Sequence, residues 1–143
     1  MTTTPQSPPA IDNGTAPVRP RPGKAALIVG WVLSIVPALM LLAAAAMMLS
    51  GSEEALKGMR QYGFPDRAGM VVGIAALACA VLYLFPPTAV LGAILMTGYF
   101  GGAVVTHLRA QEPYFVPILV GVVVWLALFL RDPRLRVLIP FRR

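Results

Sequence analysis

Four long apolar runs constrain this chain more than any other feature of its sequence. They cover residues 25–49, 68–85, 89–106 and 114–130, and none of them contains Asp, Glu, Lys or Arg. A helix needs about 20 apolar residues to cross the hydrocarbon core of a bilayer. The sequence therefore predicts an all-α integral membrane four-helix bundle, with a disordered tail in front of it.

The composition supports lipid rather than water as the solvent of this chain. Apolar residues make up 57% of the sequence and charged residues 13%, whereas soluble domains have about 45–50% and about 25%. A cleaved signal peptide is a poor alternative for the first run, because apolar signal regions hold only about 7–15 residues. We expect the lipid bilayer to surround residues 25–131, the predicted four-transmembrane-helix domain.

The polar segments complete the predicted organisation. Residues 1–24 contain six prolines among polar side chains, which predicts a disordered tail. Residues 132–143 form a basic tail. Between the first two runs, Ser52 and the acids that follow it are typical of a helix start. They predict a short helix on the membrane surface that ends near Gly63, and Asp66 is expected to cap the second span.

The basic residues predict the orientation of the spans. Eight Lys and Arg residues lie on the side of the two termini, and four lie in the first and third loops. The positive-inside rule therefore places both termini in the cytoplasm. Because the basic residues flank apolar runs, the net charge of +6 is typical of membrane flanks, and no nucleic-acid partner is predicted. The single cysteine, Cys79, gives no metal-ligand spacing.

Two groups of glycines suggest close helix packing. Gly69 and Gly73 lie four apart in the second span, and Gly98, Gly101 and Gly102 lie together in the third. Small residues at this spacing let helix backbones approach closely. Packing inside the bundle is the favoured interpretation, because the short turn at residues 86–87 already holds these two spans together. A homo-oligomer interface is the alternative.

Three polar residues lie at the end of the third run. Thr106, His107 and Arg109 gather at one membrane face, where His107 could carry a proton or contact a quinone. Alternatively, His107 has only a structural role, as a polar residue at the C-terminal end of a helix, where the helix dipole favours it. The runs themselves contain no Asp, Glu, Lys or Arg, which argues against an ion-coupled transporter.

Two longer stretches resemble a known family. They read YLFPPTAVLGAILMTGYFGGAVVTHLR at residues 83–109 and VVVWLALFLRDPRLRVLIP at residues 122–140, with YGFP at residues 62–65. In order and spacing this pattern resembles the DoxX-like family of small bacterial membrane proteins. The resemblance implies a four-helix protein of the bacterial cytoplasmic (inner) membrane, and through some relatives a link to quinone-dependent sulfur oxidation. The resemblance implies an acidic residue in many relatives about where Ala76 stands here, and often a basic residue where Pro87 stands.

Three functions remain open at the level of sequence. The favoured one is a non-catalytic membrane subunit or accessory protein that packs against a membrane protein partner or another copy of itself. The second is a membrane subunit of a quinone-linked oxidoreductase, with quinone implied only by the family resemblance and no other cofactor evident. The third is a carrier of a small apolar or lipid molecule.

Overall fold

The chain folds into helices in the computed structural model, which describes residues 23–133 and Leu135. Five helices and no strands occur in this part of the chain. Their bounds are α1 Lys24–Leu49, α2 Glu53–Gln61, α3 Asp66–Leu84, α4 Ala89–Arg109 and α5 Phe115–Arg131. The predicted tails, residues 1–24 and 132–143, lie almost entirely outside the described residues.

The four long helices coincide with the four apolar runs. Among the described residues, α1, α3 and α4 are long and apolar enough to cross a membrane, when the 3-10 turn Pro86–Thr88 is counted with α4. The fourth, α5, is apolar but has only 17 residues. At 1.5 Å per residue it is about 26 Å long, slightly less than the hydrocarbon core of about 30 Å.

The short helix predicted after the first run is confirmed as α2. The backbone N–H of Ala55 donates to the Ser52 hydroxyl at 3.3 Å and so caps the helix, and Gly63 follows it with φ of +77°. The prediction that Asp66 caps the next helix is wrong. Pro65 holds that position, and the Asp66 carboxylate instead accepts two hydrogen bonds from the Arg60 guanidinium, at 2.7 and 2.8 Å.

Each long helix packs against two of the others. Helix α1 packs against α3 and α5, and α4 packs against the same two helices. Helix α2 packs chiefly against α3. The start of α1, the Pro86–Thr88 turn and the end of α5 therefore share one end of the molecule, here called the termini end. Helix α2 and the α4–α5 loop share the opposite end, here called the α2 end.

Small residues fill the interior and large apolar residues cover the outside. About half of the most deeply buried positions are alanines, each at most 1% exposed: Ala38, Ala45, Ala76, Ala80, Ala93 and Ala127. Met70, Val71 and Leu119 are each more than half exposed. In water, such side chains would be buried by the hydrophobic effect. Small residues at helix contacts and large ones outside are instead what packing in lipid favours, so the fold indicates a membrane protein.

One buried tyrosine links three helices. Tyr83 on α3 is fully buried, and its hydroxyl donates to the Val124 carbonyl on α5 at 2.9 Å. The same hydroxyl lies 3.3 Å from the Ser34 hydroxyl on α1. A polar group inside a low-dielectric interior needs such partners, so these contacts fix α1, α3 and α5 relative to one another near the termini end.

Candidate functional site

The structure does not bring Thr106, His107 and Arg109 together as one site. The Thr106 hydroxyl donates to the Gly102 carbonyl within α4, at 2.9 Å, a bond that satisfies it locally. Arg109 is exposed. Of the three, only His107 contacts described residues outside α4. The three residues therefore share the last turn of α4 but have no common contact.

His107 belongs instead to a cluster with Tyr62 and Glu112 at the α2 end. Its Nδ1 atom lies 3.0 Å from a Glu112 carboxylate oxygen, and its ring meets the Tyr62 ring edge-on with centroids 6.1 Å apart. The Tyr62 hydroxyl donates to the same Glu112 oxygen at 2.8 Å. The cluster therefore ties the end of α2 to the α4–α5 loop.

The electrostatics of this cluster keep Tyr62 protonated. The hydrogen bond to the Glu112 carboxylate raises the pKa of the Tyr62 hydroxyl above its ordinary value, and burial adds to the effect. A nearby carboxylate disfavours a second anion. Sequence reasoning missed this arrangement. The only available signal was that four spans place the first and third loops at the same end.

A second polar cluster lies at the termini end, around Arg131. This arginine is only 7% exposed, although the sequence suggested an ordinary flanking charge. Its Nη2 donates to the Tyr83 carbonyl. Its guanidinium carbon lies 4.7 Å from the centre of the Trp31 ring and 4.5 Å from that of Tyr83. These are distances at which a cation is attracted by an aromatic face.

The glycines singled out from the sequence occupy two different environments. Gly69 and Gly73 are buried, and a Cβ on Gly73 would lie 3.0 Å from the Met48 side chain on α1. On α4, a Cβ on any of the three glycines would meet nothing within 4 Å. All three are exposed: Gly98, Gly101 and Gly102. The glycines of the second span thus pack against α1, whereas those of the third span face outward.

An apolar groove runs beside this outward face, between α4 and α5. It has a volume of about 670 Å³ and includes Gly101 in its lining. Its walls are mainly aliphatic, with three aromatic side chains among them: Phe100, Trp125 and Phe129. The Trp125 indole N–H donates to the Thr97 hydroxyl at 2.9 Å, and that hydroxyl donates to the Ala93 carbonyl. The polar atoms of the groove are therefore already satisfied, which leaves it suited to an apolar occupant.

Titratable chemistry is sparse between the two ends. Among the described residues, no three His, Cys, Asp or Glu side chains lie close enough together to hold a metal ion. Cys79 is a buried free thiol. Ala76, where relatives are expected to carry an acid, is fully buried in the core, so this chain offers no carboxylate at that position.

Three comparisons with known proteins give one match. Neither the curated proteins nor the solved structures include a match to this chain. A scan against family models does give one, to the DoxX-like family over residues 32–130. That range begins within α1 and ends one residue before the end of α5, so it includes most of α1 and nearly all of the other three long helices. The chain therefore belongs to the DoxX-like family.

Proposed function

We propose that this protein is a non-catalytic subunit of the bacterial cytoplasmic membrane that holds another transmembrane helix against its α4–α5 face. In this proposal the four long helices form a membrane-spanning bundle with both termini in the cytoplasm. The observation that carries the function is the outward glycine face of α4 beside an apolar groove. The partner is an apolar helix of another membrane protein.

The glycine face favours a helix as the occupant. Gly98, Gly101 and Gly102 lie at positions i, i+3 and i+4, which places them on one side of α4. Each glycine in a helix interior costs about 0.8–1 kcal/mol relative to alanine. None of the three gains close packing within the described part of this chain. A second helix that approaches this face closely would provide that packing.

The adjoining groove gives the partner further apolar contact. Side chains such as Phe100 and Phe129 form its wall. The Trp125–Thr97 hydrogen bond satisfies the polar atoms of the groove, so an apolar neighbour does not leave them without a partner. Large side chains of a partner helix could lie in the groove while its backbone crosses the glycines. The proposed interface thus combines close backbone approach with van der Waals packing, the two terms that drive helix association in lipid.

The same groove supports a second candidate, a carrier of a small apolar or lipid molecule. Its volume of about 670 Å³ lies within the range of about 300–1,000 Å³ for small-molecule sites. His107 does not line the groove. The quinone-linked alternative therefore gains no support from this cavity and rests on the family resemblance.

Photocrosslinking in native membranes tests the proposal. With Val122, an exposed residue of the groove lining, replaced by a photoreactive phenylalanine, we expect one discrete protein adduct. With Ala75, an exposed residue of α3, replaced in the same way, we expect none. The change Gly98→Leu should abolish the adduct by blocking close approach. The matched change Ala75→Leu should not affect it.

The mass of the adduct separates the alternatives. An adduct with twice the mass of the chain identifies a second copy as the partner, whereas another mass identifies a different membrane protein. A mass increase below about 1 kDa, the size of a lipid, would overturn the helix proposal in favour of the carrier. Equal crosslinking at positions 122 and 75 would show that the α4–α5 face has no dedicated partner.

A further inference from the structure

The termini end contains a buried cation with an unused hydrogen-bond donor. Arg131 is more than nine-tenths buried, and its Nη2 is bonded to the Tyr83 carbonyl. Its Nη1 atom is also buried, yet it has no hydrogen-bond partner among the described residues. Leaving a buried donor of a charged group unpaired is costly, so this nitrogen calls for an acceptor that the described chain does not supply.

The guanidinium is held firmly in place. Trp31 and Tyr83 each lie within cation–π distance of it, and the backbone of Arg131 packs directly on α1. A Cβ at Gly30 would lie 2.9 Å from the Arg131 backbone nitrogen. This close approach leaves little freedom for the end of α5. The unused donor is therefore positioned before any ligand arrives.

Arg131 lines a pocket at this end of the molecule. The pocket has a volume of about 510 Å³ and a mixed polar and apolar lining. Around Arg131 it is formed by Trp31, Pro86, Pro87, Asp132 and Pro133. Trp31 is 37% exposed, and an amphipathic ring of this kind suits the headgroup level of a bilayer. The pocket thus combines a fixed cation with an interfacial aromatic wall.

We propose that this pocket binds the phosphodiester of a phospholipid headgroup, whose oxygen accepts a hydrogen bond from Arg131 Nη1. Phosphate oxygens match the planar donors of a guanidinium, and such charge-assisted bonds are among the strongest in proteins. The neighbouring Asp132 carboxylate disfavours a dianion, which favours a singly charged diester over inorganic phosphate. The proposal rests on the membrane placement proposed above, because that placement sets the end of α5 at the headgroup level.

The test uses the full-length protein, purified in neutral detergent and stripped of lipid. The probes are phosphatidylglycerol, diacylglycerol with the same acyl chains, and inorganic phosphate. We expect phosphatidylglycerol to raise the midpoint of thermal unfolding and to remain bound in native mass spectrometry. Diacylglycerol should do neither. If inorganic phosphate raised the midpoint of thermal unfolding as much as phosphatidylglycerol does, the proposal that the bound phosphate belongs to a lipid would be overturned.

Two pairs of variants separate the site from general electrostatics. Arg131→Gln should weaken phosphatidylglycerol binding by about tenfold or more, the effect of losing one charge-assisted hydrogen bond. Lys24→Gln removes one charge from an exposed residue at the same end and should leave binding unchanged. Because Arg131 also packs the helices, Pro87→Glu and Pro87→Gln provide a second pair with side chains of nearly equal size.

The Pro87 pair gives the decisive comparison. Pro87 is exposed and lines the pocket, so Pro87→Glu should repel the phosphate whereas Pro87→Gln should not. Equal affinity of these two variants for phosphatidylglycerol would overturn the proposal. These results do not depend on the α4–α5 face, because neither Arg131 nor Pro87 lines its groove. Failure of the lipid site and failure of the helix-partner proposal can therefore be told apart.

Discussion

At the scale of single residues, glycines that look alike in the sequence do opposite things in the fold. The GxxxG spacing drew attention to Gly98 and Gly102, which face open space. The tightest contact instead belongs to Gly92, where a Cβ would lie 2.3 Å from the backbone nitrogen of Tyr83 and 2.4 Å from its Cα. Spacing reveals that a helix has a small face. It does not reveal which face meets a neighbour, because that depends on helix rotation.

The contrast between these glycines gives a direct test of the packing. Gly92→Ala places a methyl group against the backbone of α3, which has no flexible atoms to move aside. We expect a loss of about 1–3 kcal/mol in the free energy of unfolding, the usual cost of overpacking. Gly98→Ala is the matched control, and it should be neutral or stabilise by up to about 1 kcal/mol through helix propensity. Unfolding in detergent measures both, and equal effects would contradict the α3–α4 contact.

At the scale of helices, much could be predicted because each signal was local. Apolar length predicted α1, α3, α4 and α5, and the Ser52 cap predicted α2. The contact between Tyr62 and Glu112 could not be predicted, since it joins residues 50 positions apart and depends on how far α4 extends beyond its apolar run. The Asp66 cap prediction was wrong for a different reason: the sequence places Asp66 at a helix start, but the nearby Arg60 offers its carboxylate a charged partner.

Removal of the Tyr62 hydroxyl should loosen α2 selectively. The change Tyr62→Phe deletes the hydrogen bond to Glu112 while it keeps the ring beside His107. We expect a local loss of about 1.5 kcal/mol, the low end of the range for a hydrogen bond to a charged group, and faster amide hydrogen exchange in α2. Exchange in α5 should stay unchanged. A uniform increase across all helices would show that the bond supports the whole fold rather than this attachment.

The pKa of Tyr62 predicts how pH acts on the same attachment. An acidic group whose pKa is raised on folding contributes stability that is present below its unfolded pKa of about 10. That contribution is lost as pH rises through the folded pKa. We therefore expect α2 to stay attached to the α4–α5 loop through neutral pH and to detach only at alkaline pH. The difference between the tyrosinate absorbance titrations of the wild type and Tyr62→Phe should place this ionisation above pH 10, and a midpoint below 10 would contradict the cluster.

At the scale of the whole molecule, the two ends carry most of the ionisable chemistry and the middle carries packing. Tyr62, His107 and Glu112 lie at the α2 end, and Arg131 lies at the termini end. Alanines, together with larger apolar side chains such as Met96 and Leu128, fill the space between them. The absence of Asp, Glu, Lys and Arg from the runs predicted this division. The burial of Arg131 could not be predicted, because a basic residue after an apolar run ordinarily remains solvated.

The charges at the two ends predict the orientation of the whole molecule. A fluorescent protein that folds only in the cytoplasm should be active when it is fused after Arg143. Alkaline phosphatase, which requires the periplasm, should be active when inserted at Gln111 in the exposed α4–α5 loop. The reverse pattern would overturn the proposed topology.

Replacing Arg134, Arg136, Arg142 and Arg143 by Gln leaves four basic residues on each side. Because orientation follows the difference in Lys and Arg between the two sides, this variant should insert in both orientations, and each reporter should then show partial activity. A variant that kept the original orientation would show that something other than charge, such as the buried packing of Arg131, fixes the topology.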